Sequence, residues 1–168
     1  IPWDHNVPLV LGEFVTKGES PSPVCPRQLL KKVLRYGDNL GFSARVGMEF
    51  EWFNFRETPS TLHEKGFRNM TPITPGMFGY SMLRSDINGD FFGDLMNQLE
   101  DFGVPLEGLH TETGPGVLEA AIVNTEALEA ADRAALFKTA AKQVAYRHGI
   151  VATFMAKWNA ELPGSSGH

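Results

Sequence analysis

The sequence contains a single cysteine, Cys25, among its 168 residues. One cysteine cannot form an internal disulfide, so the chain must fold without cross-links, and this usage fits a reducing compartment such as the cytoplasm. We interpret Cys25 as a small buried or loop residue. No apolar run approaches the roughly 20 residues that a membrane-spanning helix needs, so we expect no membrane partner.

Basic residues are few and scattered. Lysine and arginine number 15 against 20 aspartates and glutamates, which gives a formal net charge of −5. A nucleic-acid-binding face requires basic residues clustered on one surface, so nucleic acid is not an expected partner. Apolar residues make up 42% of the chain, which is enough for the core of one domain.

Neither end has the features of a natural terminus. Ile1-Pro2-Trp3 contains no initiator methionine, and it lacks the basic start and apolar core of a signal peptide. The other end stops within the glycine- and serine-rich stretch from Gly164 to His168. We therefore expect the chain to be cut from a longer one.

The spacing of apolar residues predicts an alternation of strands and helices. Strands are predicted at 7–15, 43–55, 106–112, 117–123 and 150–155, and helices at 26–39, 90–102 and 125–148. Residues 18–26, rich in proline and serine, are predicted to form a linker or exposed loop, and residues 58–80 a long loop. Hairpin-like strand pairs among the helices predict an α+β fold with a curved, mostly antiparallel sheet and helices on its outer face.

The strand predicted at 43–55 carries the first candidate site residues. Its even positions are apolar, whereas Glu49 and Glu51 fall on odd positions. Side chains alternate in a strand, so the two carboxylates share one face, about 7 Å apart. They repel each other unless protons or cations lie between them. On a solvent-facing sheet the same pattern has no functional meaning, and the pair alone leaves both interpretations open.

Two more glutamates flank the predicted turn Gly114-Pro115-Gly116. Glu112 ends the strand before the turn, and Glu119 interrupts the apolar run after it. Carboxylates on neighbouring strands are typical of a hard-cation site, since Mg²⁺ and Mn²⁺ take oxygen ligands. The combined pattern favours metal binding over a solvated face.

Other catalytic motifs are absent or incomplete. His110-Thr111-Glu112 has the His-x-Glu spacing of zinc deaminases, but those enzymes need a Cys-x-x-Cys further along, and the chain has one cysteine. Gly164-Ser165-Ser166-Gly167 lacks the spacing of a nucleophile elbow. Neither a phosphate-binding P-loop nor a dinucleotide-binding glycine motif is present.

Four segments, taken in order, carry a resemblance to a known family. They are the strand from Gly47 to Phe53, the pair Glu107–Glu112 and Gly116–Glu119, the run from Ala131 to Lys157, and the stretch from Gly164 to His168. In order and spacing they resemble the glutamine synthetase family: its Glu-x-Glu strand, its next pair of metal glutamates, a characteristic helix-and-strand run, and a glycine-rich loop. The resemblance covers nearly the whole chain.

The resemblance implies an organisation for the chain. Residues 1–20 would be the end of a small amino-terminal β domain and a linker. Residues 21–168 would be the amino-terminal part of a catalytic domain, with the sheet as part of that family's half-barrel. Pro163 and the poorly matching stretch 71–84 depart from the usual pattern, which brings the chain closer to the branch of γ-glutamyl-polyamine and other γ-glutamyl-amide ligases.

The resemblance also implies two divalent-cation sites. Glu51, Glu112 and Glu119 would hold the ion nearer the amino-acid substrate. Glu49 and His168 would belong to the second ion, at the ATP phosphates. Either Mg²⁺ or Mn²⁺ would serve as cofactor.

Two further residues receive roles from the resemblance. Glu107 would lie by the nucleotide, although strand alternation puts it on the face opposite Glu112. Gly164 would offer its backbone to the amino-acid substrate. The family's flap, its phosphate-binding arginines and one more metal glutamate would lie beyond His168, so we expect no complete catalytic set within these residues.

The implied activity is an ATP-dependent ligase. It would join the γ-carboxylate of glutamate to ammonia or another amine through a γ-glutamyl phosphate, with ATP as a substrate. The complete protein would be a ring-shaped homo-oligomer, and this piece alone would lack turnover. The alternative is a catalytically inactive structural or binding member of the same fold, which the retained glutamates disfavour.

Overall fold

The computed structural model describes residues 1–168. The helices are α1 (Pro26–Asn39), α2 (Pro59–Glu64), α3 (Met82–Ile87), α4 (Gly89–Asp101) and α5 (Ala127–Arg147). The strands are β1 (Arg45–Val46), β2 (Glu49–Phe55), β3 (Leu106–Thr111), β4 (Val117–Ile122), β5 (Thr125–Glu126) and β6 (Val151–Thr153). None of the helices combines the length and the apolar character needed to cross a membrane.

The main sheet has four strands in the order β3-β4-β2-β6, and β1 and β5 form a separate two-stranded ladder. Every strand pairing is antiparallel. Helices α4 and α5 pack together on one face of the main sheet, which does not close into a barrel. The predicted α+β class, an antiparallel sheet with helices on one face, is confirmed.

The core lies between this sheet and α5. Trp52 of β2 is fully buried, and its ring meets that of Phe137 edge to face at 5.4 Å between centroids. Phe50 stacks on the same phenylalanine at 5.6 Å. Truncating such a buried aromatic to alanine costs about 3–5 kcal/mol. Apart from Phe137 and Val144, the buried face of α5 is built from alanines, which allow the helix to approach the sheet closely: Ala127, Ala130, Ala134, Ala140, Ala141 and Ala145.

The opposite face of the sheet changes character along β2. Glu49 and Glu51 are partly exposed there, whereas Phe53 and Phe55, on the same face, are buried. The ring of Trp158 covers this end, 5.0 Å from the ring of Phe55. An acidic half and an apolar half therefore share one surface, and only the acidic half is open to a ligand.

Most elements predicted from apolar spacing are present. The three predicted helices exist as α1, α4 and α5, with ends shifted by at most two residues. The predicted strands at 106–112 and 117–123 are β3 and β4, that at 150–155 shortens to β6, and that at 43–55 divides into β1 and β2. Cys25 is buried, as expected.

The strand predicted at residues 7–15 is wrong. Apart from a single bridge between Val15 and Pro21, this stretch has no strand partner. Val10 is 87% exposed and Phe14 68%, so no neighbouring strand or helix covers the apolar side chains that suggested a strand. Apolar spacing describes side chains, but a strand also requires a partner for its backbone hydrogen bonds.

The loop predicted at residues 58–80 contains a helix, α2. Thr58 caps it, because its hydroxyl oxygen accepts from the Thr61 amide at 3.1 Å while the Thr61 hydroxyl oxygen accepts from the Thr58 amide at 2.9 Å. Pro59 occupies the first turn, where its missing N–H costs nothing. Helix α3 is also absent from the prediction, since a six-residue helix is too short to show an apolar period.

The turn between β3 and β4 is locked against β2 at Gly116. Its φ is +73°, and a Cβ at this position would lie 2.4 Å from the carbonyl oxygen of Asn54. The Gly116 amide donates to Thr74, and its carbonyl accepts from the Asn54 amide at 2.8 Å. Only glycine fits here. The turn therefore fixes the position of β3 and β4 relative to β2.

A buried carboxylate, Glu57, joins the end of β2 to α2. It accepts hydrogen bonds from the Thr61 hydroxyl at 2.7 Å and from the Thr71 amide at 2.9 Å, and it pairs with Lys65. Lys65, followed by Thr61 and Thr71, lowers the pKa of Glu57 to about 2.

We predict that Glu57→Gln destabilises the protein at pH 7 and that the loss shrinks in acid. The folded-state pKa lies below the ordinary value of 4.5, so the ionised carboxylate contributes stability above about pH 4.5 that is lost as pH falls toward 2. Urea unfolding at pH 7, 4 and 2.5 measures the difference between wild type and variant. Glu64→Gln, an exposed position on the adjoining helix α2, is the control. A difference that stays constant with pH would contradict the prediction.

Candidate metal centre

Three strands bring two carboxylates and a histidine into one row. Glu51 of β2 lies opposite Glu119 of β4, and Glu119 lies opposite His110 of β3. Residues that pair directly across antiparallel strands project from the same face. The neighbours of Glu119 in β4, Leu118 and Ala120, are fully buried on the helix side, so the row lies on the face away from α5.

A β-bulge in β3 sets which of its residues join this face. Leu106 pairs with Ile122 but Gly108 pairs with Ala121, which leaves Glu107 as an extra residue between them. Beyond the bulge the even positions, Gly108 and His110, lie on the open face. The alternation that placed Glu107 opposite Glu112 does not hold across a bulge.

The last residues of the chain add His168 to the open face. The backbones of Glu49 and His168 exchange two hydrogen bonds, 2.8 and 3.0 Å long, beside β2. His168 Nδ1 lies 3.2 Å from Glu49 Oε2, and its Nε2 lies 3.5 Å from Glu119 Oε1. Donor atoms of these three side chains all lie within 4.8 Å of one another.

A second group of potential ligands forms around the other side of Glu119. It consists of His110, Glu112 and Glu119, again with donor atoms within 4.8 Å of one another. Glu112 is 9% exposed, and its Oε2 atom is buried without a hydrogen bond of good geometry, although an interaction with the side chain of Tyr80 helps to lower the Glu112 pKa. Glu119 therefore belongs to both groups and lies at the centre of the arrangement.

A divalent cation fits these donors. A buried carboxylate oxygen without a partner is costly, and a cation held by Glu112 and Glu119 would satisfy it. Carboxylate oxygens suit Mg²⁺ and Mn²⁺, and imidazole nitrogens suit transition metals. Each of the two groups of potential ligands combines carboxylate oxygens with an imidazole nitrogen on the open face of the sheet.

The charges of the site act on one another. Burial raises the pKa of Glu119, and the carboxylates of Glu51, Glu112 and Glu49 raise it further against the opposing effect of His110. Burial also acts to raise the pKa of Glu112, but hydrogen bonding, led by the Thr113 amide at 2.6 Å, outweighs burial and leaves the pKa lowered. The site thus keeps an ionised Glu112 beside a Glu119 that resists ionisation.

Glu51 lies in the row but in neither group of three. Its Oε2 accepts hydrogen bonds from the Ser166 amide at 2.7 Å and the Ser166 hydroxyl at 3.1 Å. The structure brings Glu112 and Glu119 together with His110, and it places Glu51 beside Glu119. Ligation by Glu51 stays a prediction.

The sequence of the chain matches a known protein family. The profile of the glutamine synthetase catalytic domain matches residues 23–168. The chain belongs to the glutamine synthetase family. The resemblance inferred from four sequence segments is confirmed.

The relatives include proteins named as glutamine synthetases and proteins named for the γ-glutamyl amides of other amines. Over all 168 residues the chain is 52% identical to type-1 glutamine synthetase 2 of Dictyostelium discoideum, of which it covers 32%. It is 34% identical to a glutamate–isopropylamine ligase of a Pseudomonas species and covers 37% of that protein. It is 32% identical to a γ-glutamylethanolamide synthetase of Streptomyces coelicolor and covers 36% of it. The chain spans about a third of the length of these ligases.

Solved structures of the family have the same fold. A complex of GmaS with ADP superposes with a TM-score of 0.74 at 29% identity, over 87% of this chain and 33% of that one. A cryo-electron microscopy structure of Plasmodium falciparum glutamine synthetase gives 0.71 at 19% identity, over 90% of this chain and 34% of the other. The second likeness concerns the fold alone.

Family resemblance and apolar spacing missed His110 and Ser166. A usable signal existed for His110, because a residue two positions before Glu112 shares its face in a strand. Ser166 gave no signal, since its contact with Glu51 spans 115 residues. The place of each residue in the site depends on contacts between segments that are distant in the sequence.

Glu107 and Gly164 belong to neither group of ligands. Glu107 is exposed at the bulge of β3. A Cβ at Gly164 would lie 2.7 Å from the carbonyl oxygen of Ala156, so chain packing alone requires glycine there. Their roles toward nucleotide and amino acid stay predictions.

We predict that Glu119→Gln stabilises the metal-free protein at pH 7.5 and that the gain disappears at pH 4. A raised folded-state pKa means that the ionised carboxylate opposes folding above the usual glutamate range, and protonation removes the penalty as pH falls. Thermal unfolding with a chelator should show a gain of roughly 2–4 °C at pH 7.5, the shift that about 1 kcal/mol produces in a chain of this size.

The exposed Glu161→Gln is the matched control for that measurement. A melting temperature that falls in Glu119→Gln at pH 7.5 without metal would contradict the prediction. It would mean that Glu119 stabilises the fold through contacts other than the acidic cluster.

Proposed function

We propose that the complete protein is an ATP-dependent carboxylate–amine ligase that forms a γ-glutamyl amide through a γ-glutamyl phosphate. The observation that carries the proposal is the pair of ligand groups meeting at Glu119 on one accessible sheet face. Membership of a family whose relatives are named as glutamine synthetases and γ-glutamyl amide ligases supports it. The first step would be attack of the glutamate γ-carboxylate on the terminal phosphate of ATP, and an amine would then displace phosphate.

The residues of this chain would act by binding and positioning. A carboxylate and a triphosphate repel each other, and Mg²⁺ or Mn²⁺ would supply the positive charge that brings them together. Glu49, Glu119 and His168 would hold a cation at the phosphates. Glu112 and Glu119, with Glu51 beside them, would hold one at the amino-acid substrate. Ser166 orients Glu51 through two hydrogen bonds.

Three further assignments belong to the same proposal. Glu107 would contact the nucleotide, and the backbone of Gly164 the amino-acid substrate. Residues 1–20 would end a small amino-terminal domain, and residues 21–168 would begin the catalytic domain. The protein would act in the cytoplasm, in keeping with its single, buried cysteine.

The structure of the site favours an enzyme over an inactive structural member. A buried carboxylate oxygen without a partner and several mutually repelling glutamates oppose folding. A protein with only a structural role gains nothing from such groups, whereas a metal-dependent enzyme requires them.

The proposed acceptor could be an amine larger than ammonia. A cavity of about 710 Å³ opens beside His110. Tyr80, Met82, Leu83 and Phe92 contribute to its lining, so an organic substituent on the amine would meet mostly apolar side chains. This cavity supports a γ-glutamyl-amide ligase as well as a glutamine synthetase.

We predict that the complete protein releases phosphate from ATP only when Mg²⁺ or Mn²⁺, glutamate and an amine are all present. The acyl phosphate must be captured by an amine for the enzyme to turn over. Glu51→Gln keeps the shape of the side chain but removes a negative charge from the site, and should lower the rate roughly a thousandfold. A coupled phosphate assay with ammonia, ethanolamine and isopropylamine measures this. Glu64→Gln, exposed on α2, is the control, and an unchanged rate in Glu51→Gln would exclude a role for Glu51.

We also propose that the complete protein assembles as a ring-shaped homo-oligomer, on the basis of its family. Sedimentation velocity should then show a species several times the monomer mass, and dilution that dissociates it should abolish activity. An active monomer would contradict this proposal.

A further inference from the structure

We propose that Glu13, Arg27 and Asp132 form a salt-sensitive latch that holds residues 4–21 against helices α1 and α5. When the latch opens, this segment leaves the helices while the core between the sheet and α5 stays folded. The latch lies on the helix side of the protein, away from the acidic face of the sheet. It is a conformational device whose existence does not depend on the proposed ligase activity.

The segment 4–21 lies between two buried residues and is held at one point between them. Trp3, just before it, is buried, and its indole Nε1 donates to Gln143 Oε1 at 2.7 Å. Cys25, shortly after it, is also buried. Within the segment every residue except Glu13 is exposed. Glu13 therefore holds the middle of the segment to the rest of the protein.

The carboxylate of Glu13 has three donors in the first two turns of α1, which are the side chains of Arg27, Gln28 and Lys31. The segment makes no other side-chain hydrogen bond or ion pair with α1 or α5. The hydrogen bond from Lys31 is the largest cause that lowers the pKa of Glu13, and Arg27 lowers it further against the opposing effect of burial. The carboxylate is therefore ionised at neutral pH, where its hydrogen bonds are charge-assisted.

Arg27 connects this contact to α5. Its Nε and Nη2 atoms donate to Asp132 Oδ1 and Oδ2, each at 2.9 Å, while its Nη1 atom donates to Glu13. A guanidinium group can bind both carboxylates at once because its donors form a rigid, planar fork. One side chain thus joins the segment, α1 and α5. A change at Asp132 should reach the segment through Arg27, although Asp132 does not contact the segment.

The latch also sets which side of the segment faces outward. Leu9 and Leu11, two and four residues before Glu13, are 42% and 41% exposed, whereas Val10 and Phe14 are 87% and 68% exposed. This alternation is that of an extended chain, in which successive side chains point to opposite sides. Glu13 therefore keeps the odd positions turned toward the helices, and opening of the latch would expose Leu9 and Leu11 as well.

The latch is accessible to dissolved ions. The side chain of Glu13 is 18% exposed and that of Lys31 is 33% exposed. Screening by salt weakens such partly exposed pairs, because the Debye length falls from about 10 Å at 0.1 M ionic strength to about 3 Å at 1 M. The apolar contacts of the core are not weakened in this way. A rise in ionic strength should therefore open the latch without unfolding the core.

Hydrogen–deuterium exchange of the complete protein measures the opening. The amides of Thr16 and Ser22 hydrogen-bond across the small hairpin within and just after the segment, and a hairpin without a supporting surface is only marginally stable. We expect Glu13→Gln to accelerate the exchange of these two amides about tenfold and to leave the amides of α5 unchanged. Glu19→Gln removes a charge from an exposed position in the same hairpin and is the matched control, which should exchange like wild type.

Two further measurements distinguish the latch from a local effect of the substitution. Asp132→Asn should accelerate the same two amides about threefold, and it should add little in the double variant with Glu13→Gln, because both changes act through Arg27. Raising the salt concentration from about 0.05 to 0.5 M should accelerate these amides about threefold in wild type. The same change in salt should have no effect on them in Glu13→Gln.

Unchanged exchange in Glu13→Gln would overturn the proposal, and so would an equal acceleration in Glu19→Gln. Equal responses to salt in wild type and Glu13→Gln would overturn it as well. Additive effects of Glu13→Gln and Asp132→Asn would refute the connection through Arg27. If Glu13→Gln does not fold, the salt series in wild type decides, and exchange of the Thr16 and Ser22 amides that does not vary with salt refutes the latch.

Discussion

The antiparallel pairing of β2 with β4 is the constraint on which the rest of the structure depends. The register that places Glu51 opposite Glu119 also places Trp52 opposite Leu118. A shift of one residue would turn the carboxylates into the helix-packed core and the tryptophan into solvent. Burial of Trp52 and Leu118 therefore holds the glutamates on the open face.

Burial of the apolar core offsets the destabilising repulsion between the glutamates of the acidic face. Burial of a large apolar side chain contributes about 1.5–3 kcal/mol, and the main core cluster contains 18 buried residues. The repelling glutamates lie on the reverse of the same strands, so every core contact that fixes β2 and β4 also fixes the spacing of the carboxylates. Gly116 adds a second restraint, because its backbone ties the β3–β4 turn to Asn54 and Thr74.

Apolar spacing predicted those parts of the fold that bury a continuous face. Helices α4 and α5, and strands β2 to β4, each pack one face against the core, and the sequence shows that face as a period. The strand predicted at residues 7–15 failed because its apolar residues have no partner, and α2 depends on capping by Thr58 instead of on periodicity.

The positions of the site residues could be predicted only where the pairing of their strands could be predicted. Alternation puts Glu49 and Glu51 on one face, and the structure agrees. The bulge at Glu107 was not predictable, because one extra residue in a ladder is defined by pairing with β4 and leaves no local pattern. His110 and Glu112 both follow the bulge, so alternation could have placed them on one face. The contact between Ser166 and Glu51 depends on two segments far apart in the chain.

In the proposed two-metal centre, the position of Glu119 in both ligand groups would make the two halves thermodynamically coupled. Two cations that share one carboxylate cannot bind independently, since the first ion changes the charge that the second one meets. Coupling of this kind is reciprocal: whatever factor the first ion imposes on the affinity of the second, the second imposes on the first. The binding curve of the centre would therefore be that of one cooperative unit, and a dissociation constant for either ion would have meaning only at a stated occupancy of the other.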